Sequence, residues 1–231
     1  GVIDAREQIE LGREDGICDG VAQRLVGANR WPADGGALQG ACEPWLASMS
    51  AAAARVTRAL SLGLGLEASA LDERVLGQAP HWQAKLASYP PDVGPGVGAH
   101  SDSGWLTLLW ADQPGLEAQL RTGEWVAVPP RDGAVAVNLG EMLQLASGGY
   151  YRATPHRVVR RSAPRRSIIR FNAVAPDAVV APLPKFGAPK YSPVTMDEHM
   201  ATTLGNLRKG VPSWDAATNT SRSATYDYGC A

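Results

Sequence analysis

The sequence predicts a mainly β domain of the sandwich or barrel class, with helices on both flanks (α+β). Three observations carry this. Between residues 85 and 184, short β-rich segments recur, separated by Pro, Gly and Asp-Gly turns. On either side the apolar residues switch to helical spacing. The 25 Gly and 17 Pro among 231 residues supply the turns that many short strands require, in a sandwich, barrel or jelly roll. The chain divides accordingly into a helical flank (1–84), a strand-rich core (85–184) and a C-terminal helix and tail (185–231), forming one domain.

The first flank is read as mostly helical. GACEPWLASMSAAAARVTRALSLGLGL (40–66) sets Trp45, Met49, Ala53, Val56 and Leu60 at three- and four-residue steps, the stripe of an amphipathic helix. The glycines at 63 and 65 end it. In the core, KLASY, WLTLLWA, EWVAVPP, AVAVNLG, HRVVRR and RSIIRFNAV read as strands. PPDVGPG, RTGE and RDG are the turns between them. In the last zone Thr195 and Glu198 form a capping box that opens a helix over 195–210, with Gly210 as its stop. The polar tail DAATNTSRSATYDYGCA is expected on the surface or without fixed structure.

Hydrophobic residues make up 45% and charged residues 19%, enough for a sizeable core. A net charge of −1 gives no general attraction to nucleic acid or anionic membrane. No apolar run is long enough to span a bilayer. The opening GVIDAREQIE is not a secretory leader. Cys18, Cys42 and Cys230 are too scattered for a disulfide framework or a zinc knuckle, and are read as reduced cysteines of a cytoplasmic protein.

The chemistry concentrates in the strand zone. Of the four histidines, His81 has no acidic neighbour and His199 lies in the last helix, so both are read as structural. His100 and His156 sit at strand edges. Residues two apart share a face of an extended chain, so His100 and Asp102 point together. With His156 on a neighbouring strand, they make two imidazoles and one carboxylate around three open coordination positions. That is the facial triad of non-haem Fe(II) oxygenases, although zinc also occupies such sets. In PRRSIIRFN (164–172), parity places Arg165, Ser167, Ile169 and Phe171 on one face. One cation, one hydroxyl and two apolar groups suit a pocket that grips a carboxylate. Arg160, Arg161, Arg166 and Arg170 are read as a solvated face.

These residues resemble a known family. The stretches YPPDVGPGVGAHSDSGWLTLLWADQPGLEAQ, GEWVAVPPRDGAVAVNLGEMLQLASGGYYRATPHRVV and RRSIIRFN look like the Fe(II)/2-oxoglutarate-dependent dioxygenases, in the isopenicillin N synthase-like branch. Its members carry a His-x-Asp pair, a second His and then an Arg-x-Ser. Here Asp102 to His156 is a step of 54, and His156 to Arg165 a step of 9. The likeness is strong over residues 80–185 and weak outside them, through DAREQIELG and NRWP.

The resemblance implies a double-stranded β-helix, or jelly roll. It implies Fe(II) on His100, Asp102 and His156, and 2-oxoglutarate on Arg165 and Ser167, with Tyr89 reaching the same co-substrate. O2 is the oxidant and ascorbate an accessory reductant. The implied reaction is oxidation, foremost hydroxylation, of a small organic molecule with release of succinate and CO2. A monomer without nucleic-acid or membrane partners is expected. Two departures stand out. Plant members often place Asn where this chain has Ala87, and the family usually carries several dozen more residues ahead of the segment that opens here. Phe171 is the first candidate for a substrate contact. Leu106, Leu108 and Trp110 share the face of Asp102 if the strand runs unbroken, and either line the pocket or fill the barrel. The Gly148-Gly149-Tyr150-Tyr151 run is read as a turn before an edge strand rather than a substrate contact. Three rivals remain: a relative of the same fold that does not use 2-oxoglutarate, a non-catalytic jelly-roll binding protein, and a metal-dependent hydrolase.

Overall fold

The computed structural model describes residues 6–14, 27–33, 36–72, 80–91, 96–159, 162–184 and 192–208, with two further short strands at 214–215 and 220–221. Two antiparallel sheets dominate. The larger joins β1 (Glu7–Gly12), β2 (Trp82–Tyr89), β9 (Arg165–Asn172), β4 (Leu106–Ala111) and β7 (Ala136–Leu139), in that spatial order. The smaller joins β3 (Val97–His100), β8 (His156–Val158), β5 (Leu116–Gln119) and β6 (Trp125–Ala127). Apart from the β5–β6 hairpin, consecutive strands from β2 to β9 alternate between the sheets, which is the winding of a jelly roll. The fold is a double-stranded β-helix, as expected.

Helix α1 (Ala37–Gly63) lies across the outer face of the larger sheet. Its stripe divides between two cores. Met49, Ala53, Val56 and Leu60 pack with Trp105, Leu106, Leu108, Met142 and Leu143. Leu46 and Trp45 pack with Leu11, Ala84, Trp82 and Leu86. The Trp105 indole also donates a hydrogen bond to the Thr57 hydroxyl (3.2 Å) beneath the helix. After β9, the short strands β10 (Val179–Val180) and β11 (Val194–Thr195) pair and lead into α3 (Met196–Arg208). The capping box opens α3 as expected. The Thr195 amide donates to Glu198 Oε2 (2.9 Å), and the Glu198 amide to Thr195 Oγ1 (3.2 Å). Gly210 lies outside the described residues, as does most of the polar tail, of which β12 (Trp214–Asp215) and β13 (Thr220–Ser221) pair with each other.

Four differences from the sequence reading have physical causes. The N-terminal flank is not uniformly helical. Residues 7–12 form β1, whose Ile9 and Leu11 reach the core only because β2 supplies a ladder edge. A short helix, α2 (Glu141–Ala146), follows β7, buried almost all round, so it has no amphipathic stripe to reveal it. Strand β5 was also unforeseen, being only four residues long. Arg170 is not solvated but 5% exposed, because α1 covers that face. Its guanidinium lies 4.6 Å from the Trp82 ring and bonds Asn172 Oδ1 (3.0 Å) and Ser50 Oγ (3.3 Å). Burial holds it well down, at about 10. Arg166 is exposed, while Arg160 and Arg161 lie outside the described residues.

Candidate metal centre and co-substrate pocket

His100 ends β3 and His156 begins β8, and the ladder sets them directly opposite one another. Their ring centroids are 4.3 Å apart. His100 Nδ1 lies 2.8 Å from the Gly98 carbonyl oxygen, and His156 Nδ1 lies 2.9 Å from that of Thr154. A carbonyl only accepts, so each Nδ1 carries the proton and donates it. Each Nε2 is thereby left with a lone pair turned inward. Both Nε2 atoms stand 3.8 Å from Asp102 Oδ1. One ligand atom from each residue falls within 4.8 Å of the other two.

Asp102 is fixed from its other oxygen. Thr107 Oγ1 and Asn138 Nδ2 each donate to Oδ2 at 2.6 Å, leaving Oδ1 for a cation. Burial pushes this carboxyl up, but His156, His100 and the two hydrogen bonds outweigh it and hold it below its ordinary value. Burial, then the neighbouring His156, pushes His100 down, which keeps its imidazole neutral and able to coordinate. Asp102 thus supplies the charge and His100 a neutral lone pair.

The turn carrying Asp102 is clamped from behind. The Glu141 and Met142 amides donate to the carbonyls of Asp102 (2.9 Å) and Gly104 (3.1 Å). The approach is so close that a Cβ on Gly140 would strike the Gly104 carbonyl. Ser101 points away from the metal and donates to the buried Glu141 carboxylate, which also pairs with His199 Nε2 at 3.0 Å. His199 is thus a buried strut, and His81 serves through backbone bonds to Ala173 and Val174.

Register defines the second half of the site. Thr107, Leu109 and Ala111 lie beside Phe171, Ile169 and Ser167, and Tyr89 lies opposite Arg165. All share the face that holds Asp102. Arg165 is 2% exposed, and none of its three guanidinium nitrogens has a hydrogen-bonding partner among the described residues. The Ser167 hydroxyl is in the same condition. Burial pushes the Arg165 guanidinium down, opposed by Tyr89 and Asp112. Its carbon stands 5.3 Å from the Tyr89 ring centroid. A buried cation and hydroxyl with unused donors fit a carboxylate. Gly115 makes the room: it sits at φ +142°, and a Cβ there would lie 3.2 Å from Arg165 Cδ. A cavity of about 440 Å³, lined by Leu109, Ala111, Leu116 and Val128, opens beside the guanidinium.

The family model of the 2OG-Fe(II) oxygenase superfamily matches residues 76–173, which contain the triad, Thr107, Asn138, Tyr89, Arg165 and Ser167. A homoarginine-6-hydroxylase of rice (Oryza sativa subsp. japonica) is 31% identical over 86% of this chain and 64% of its own length. Over residues 76–173 this chain resembles that superfamily, and the rice relative extends the likeness beyond them. A 1-aminocyclopropane-1-carboxylate oxidase of rice is 38% identical over 60% of this chain and 45% of that protein. The chain therefore spans less than two thirds of the curated relatives it matches. Among solved structures, a full-length Neurospora crassa protein in complex with alpha-KG superposes with a TM-score of 0.75 at 26% identity, covering 87% of this chain and 66% of that one. A 2OG-Fe(II) oxygenase family protein from Caulobacter crescentus gives 0.76 at 26%, covering 87% and 70%.

The oxygenase fold brings His100, Asp102 and His156 together, and sets Arg165, Ser167, Tyr89 and Phe171 on the same inner wall. It does not bring Leu108 and Trp110 there. Leu108 is buried in the outer core under α1, together with Leu106, and Trp110 is 37% exposed on that same outer face. The expected unbroken strand is interrupted between His100 and Leu106. Thr107, an odd number of residues from Asp102, therefore shares its face, and Leu109 and Ala111 line the wall instead. Tyr151 donates to the Leu60 carbonyl (3.1 Å), in the α1 core, and Tyr150 is exposed. Thr107 and Asn138, which orient Asp102, were missed. A polar residue on an apolar strand, such as Asn138 in AVAVNLG, was the available signal.

Proposed function

We propose that this protein is a non-haem Fe(II)- and 2-oxoglutarate-dependent dioxygenase that hydroxylates a small organic substrate. The observation that carries this is the pairing of two incomplete sites on one wall. The inward Nε2 atoms of His100 and His156 and Oδ1 of Asp102 form one, and the buried Arg165 and Ser167, whose side-chain donors have no partner among the described residues, form the other. Held there with 2-oxoglutarate, Fe(II) would supply oxidation of a C–H bond by O2, the co-substrate being decarboxylated to succinate and CO2.

The chain's residues prepare this chemistry. Gly98 and Thr154 fix both imidazole tautomers. Thr107 and Asn138 aim the carboxylate. Arg165 would fork onto the distal carboxylate of 2-oxoglutarate and Ser167 would add a third donor, with the Tyr89 ring beside the guanidinium. His100, Asp102 and His156 would hold Fe(II) with three ligands, as sets that admit a co-substrate and O2 do. Ile169, Leu109 and Phe171 keep the wall apolar. Ascorbate serves as an accessory reductant. We take the strand-rich core as residues 85–184, flanked by 1–84 and 185–231 in one domain. We place the protein in the cytoplasm, as a monomer acting on small molecules. Among the described residues no helix is long and apolar enough to cross a membrane.

The test is anaerobic addition of Fe(II) and 2-oxoglutarate. A visible metal-to-ligand charge-transfer band is expected, and its loss in folded His156→Ala supports the assignment. An unchanged band in that variant overturns it. Consumption of 2-oxoglutarate with release of succinate separates this reading from an oxidase of the same fold that does not use it.

A further inference from the structure

We infer that Lys85 selects the substrate, and that the substrate carries a carboxylate. The inference rests on the oxygenase reading above and deepens it. Strand register places the residues. Across the inner wall, Thr107, Phe171 and Gln83 stand in one row, and Leu109, Ile169 and Lys85 in the next. Thr107 touches the metal ligand Asp102 directly. Neighbouring strands are about 4.8 Å apart, so Lys85 lies roughly 10 Å across the wall from β4, with Phe171 and Ile169 as the floor between.

Lys85 is held over that floor. Its ammonium is 5.8 Å from the Phe171 ring centroid, and its side chain is 18% exposed. Glu10 on β1 sits opposite it in the ladder and takes one contact at 3.1 Å. The Glu10 carboxylate is itself held by Gln8 Nε2 (2.7 Å) and Gln83 Nε2 (3.1 Å). An ammonium has three donors. Glu10 takes one, which fixes the direction of the side chain; among the described residues no other group takes the remaining two.

Lys85 is too far along the wall to serve 2-oxoglutarate. It precedes Tyr89 by four residues on β2, and Tyr89 faces Arg165. That step is about 13 Å along a strand, longer than a five-carbon diacid bound end-on at Arg165. The wall therefore carries two separate cationic positions: Arg165 at one end, and Lys85 two rows further along and one row short of Thr107 and Phe171, across the wall from the strand that leads to Asp102. Arg165 serves the co-substrate. Lys85 serves a second acid, whose apolar body rests on Phe171 and whose C–H bond is presented to the metal.

The experiment uses the full chain with Fe(II) and 2-oxoglutarate. Hexanoate, 3-phenylpropanoate, L-lysine and L-arginine are each compared with the primary carboxamide, scoring stimulated succinate release and, without O2, heat of binding. At least one acid is expected to bind and stimulate tenfold more strongly than its amide. Lys85→Met, which keeps the aliphatic stem, should raise the KM for that acid at least tenfold. Lys85→Arg should retain the preference for acid over amide. Arg166→Met, on the exposed outer face, is the control for altered surface charge. Equal response to acid and amide, no response to any acid, or an unchanged KM in Lys85→Met overturns the inference. So does a raised KM for 2-oxoglutarate in Lys85→Met, which would make Lys85 a co-substrate contact. Absence of the charge-transfer band in the wild-type protein is a different failure: it removes the oxygenase reading itself, and this inference with it.

Discussion

Replacing Thr107 with Val should loosen the metal centre without disturbing the fold. Thr107 Oγ1 donates to Asp102 Oδ2 at 2.6 Å, and Asn138 Nδ2 donates to the same atom at the same distance. Valine keeps the branched shape at a position that is 4% exposed and removes one donor. A hydrogen bond to a charged group contributes about 1.5–3 kcal/mol. Part of that is lost from the metal-free state as well, since Asp102 is ionised there. What bears on binding is the remainder, the cost of letting Oδ1 swing away from the two Nε2 atoms. That places the expected loss of Fe(II) affinity at about tenfold, the lower end of the 10–100-fold range for residues that orient a ligand. The assay is anaerobic Fe(II) titration in the presence of 2-oxoglutarate, followed by the charge-transfer band. Asn138→Leu should cost a similar amount, and the double variant more than the product of the two, because Asp102 then has neither anchor. An Fe(II) affinity within about twofold of wild type in folded Thr107→Val would refute the claim that this bond aims the carboxylate.

Three further outcomes follow from the same geometry. Arg165→Lys should raise the KM for 2-oxoglutarate by at least about tenfold, since a point charge replaces a two-pronged donor, whereas Arg166→Lys should leave it unchanged; steady-state succinate assays decide, and the reverse pattern would put the strand register off by one. Gly115→Ala combines a backbone at φ +142° with a Cβ 3.2 Å from Arg165 Cδ, so 2-oxoglutarate binding should weaken more than Fe(II) binding, as two separate titrations would show. Leu108→Ala should cost about 2–5 kcal/mol in urea unfolding, because it opens a cavity under α1, with substrate KM per folded molecule unchanged; a selective KM effect would return Leu108 to the pocket.

Much of this site was readable along the chain, and its omissions share a cause. Strand alternation correctly grouped Arg165, Ser167 and Phe171, because β9 runs unbroken over eight residues. The same rule failed from Asp102 to Leu108. The chain bends between β3 and β4, and parity does not survive a bend. That bend is set by the Glu141 and Met142 amides and by the close approach of Gly140 to Gly104, contacts between segments some forty residues apart. Arg170 shows the other limit. Its face was correct, but nothing local announces that a helix from residues 37–63 lies over it.

The sequence by itself determined the ligand types, their order and spacing, the strand-rich core and both flanking helices. Those depend on residue chemistry and on periodicity within single elements, which are local. Only the tertiary structure decided which oxygen of Asp102 is left for a cation, which nitrogen of each imidazole turns inward, and that the Arg165 guanidinium is buried with no hydrogen-bonding partner among the described residues. It also decided which wall Lys85 and Phe171 share. Each of these depends on pairing between strands distant in sequence, where a shift of one residue moves every side chain to the opposite face.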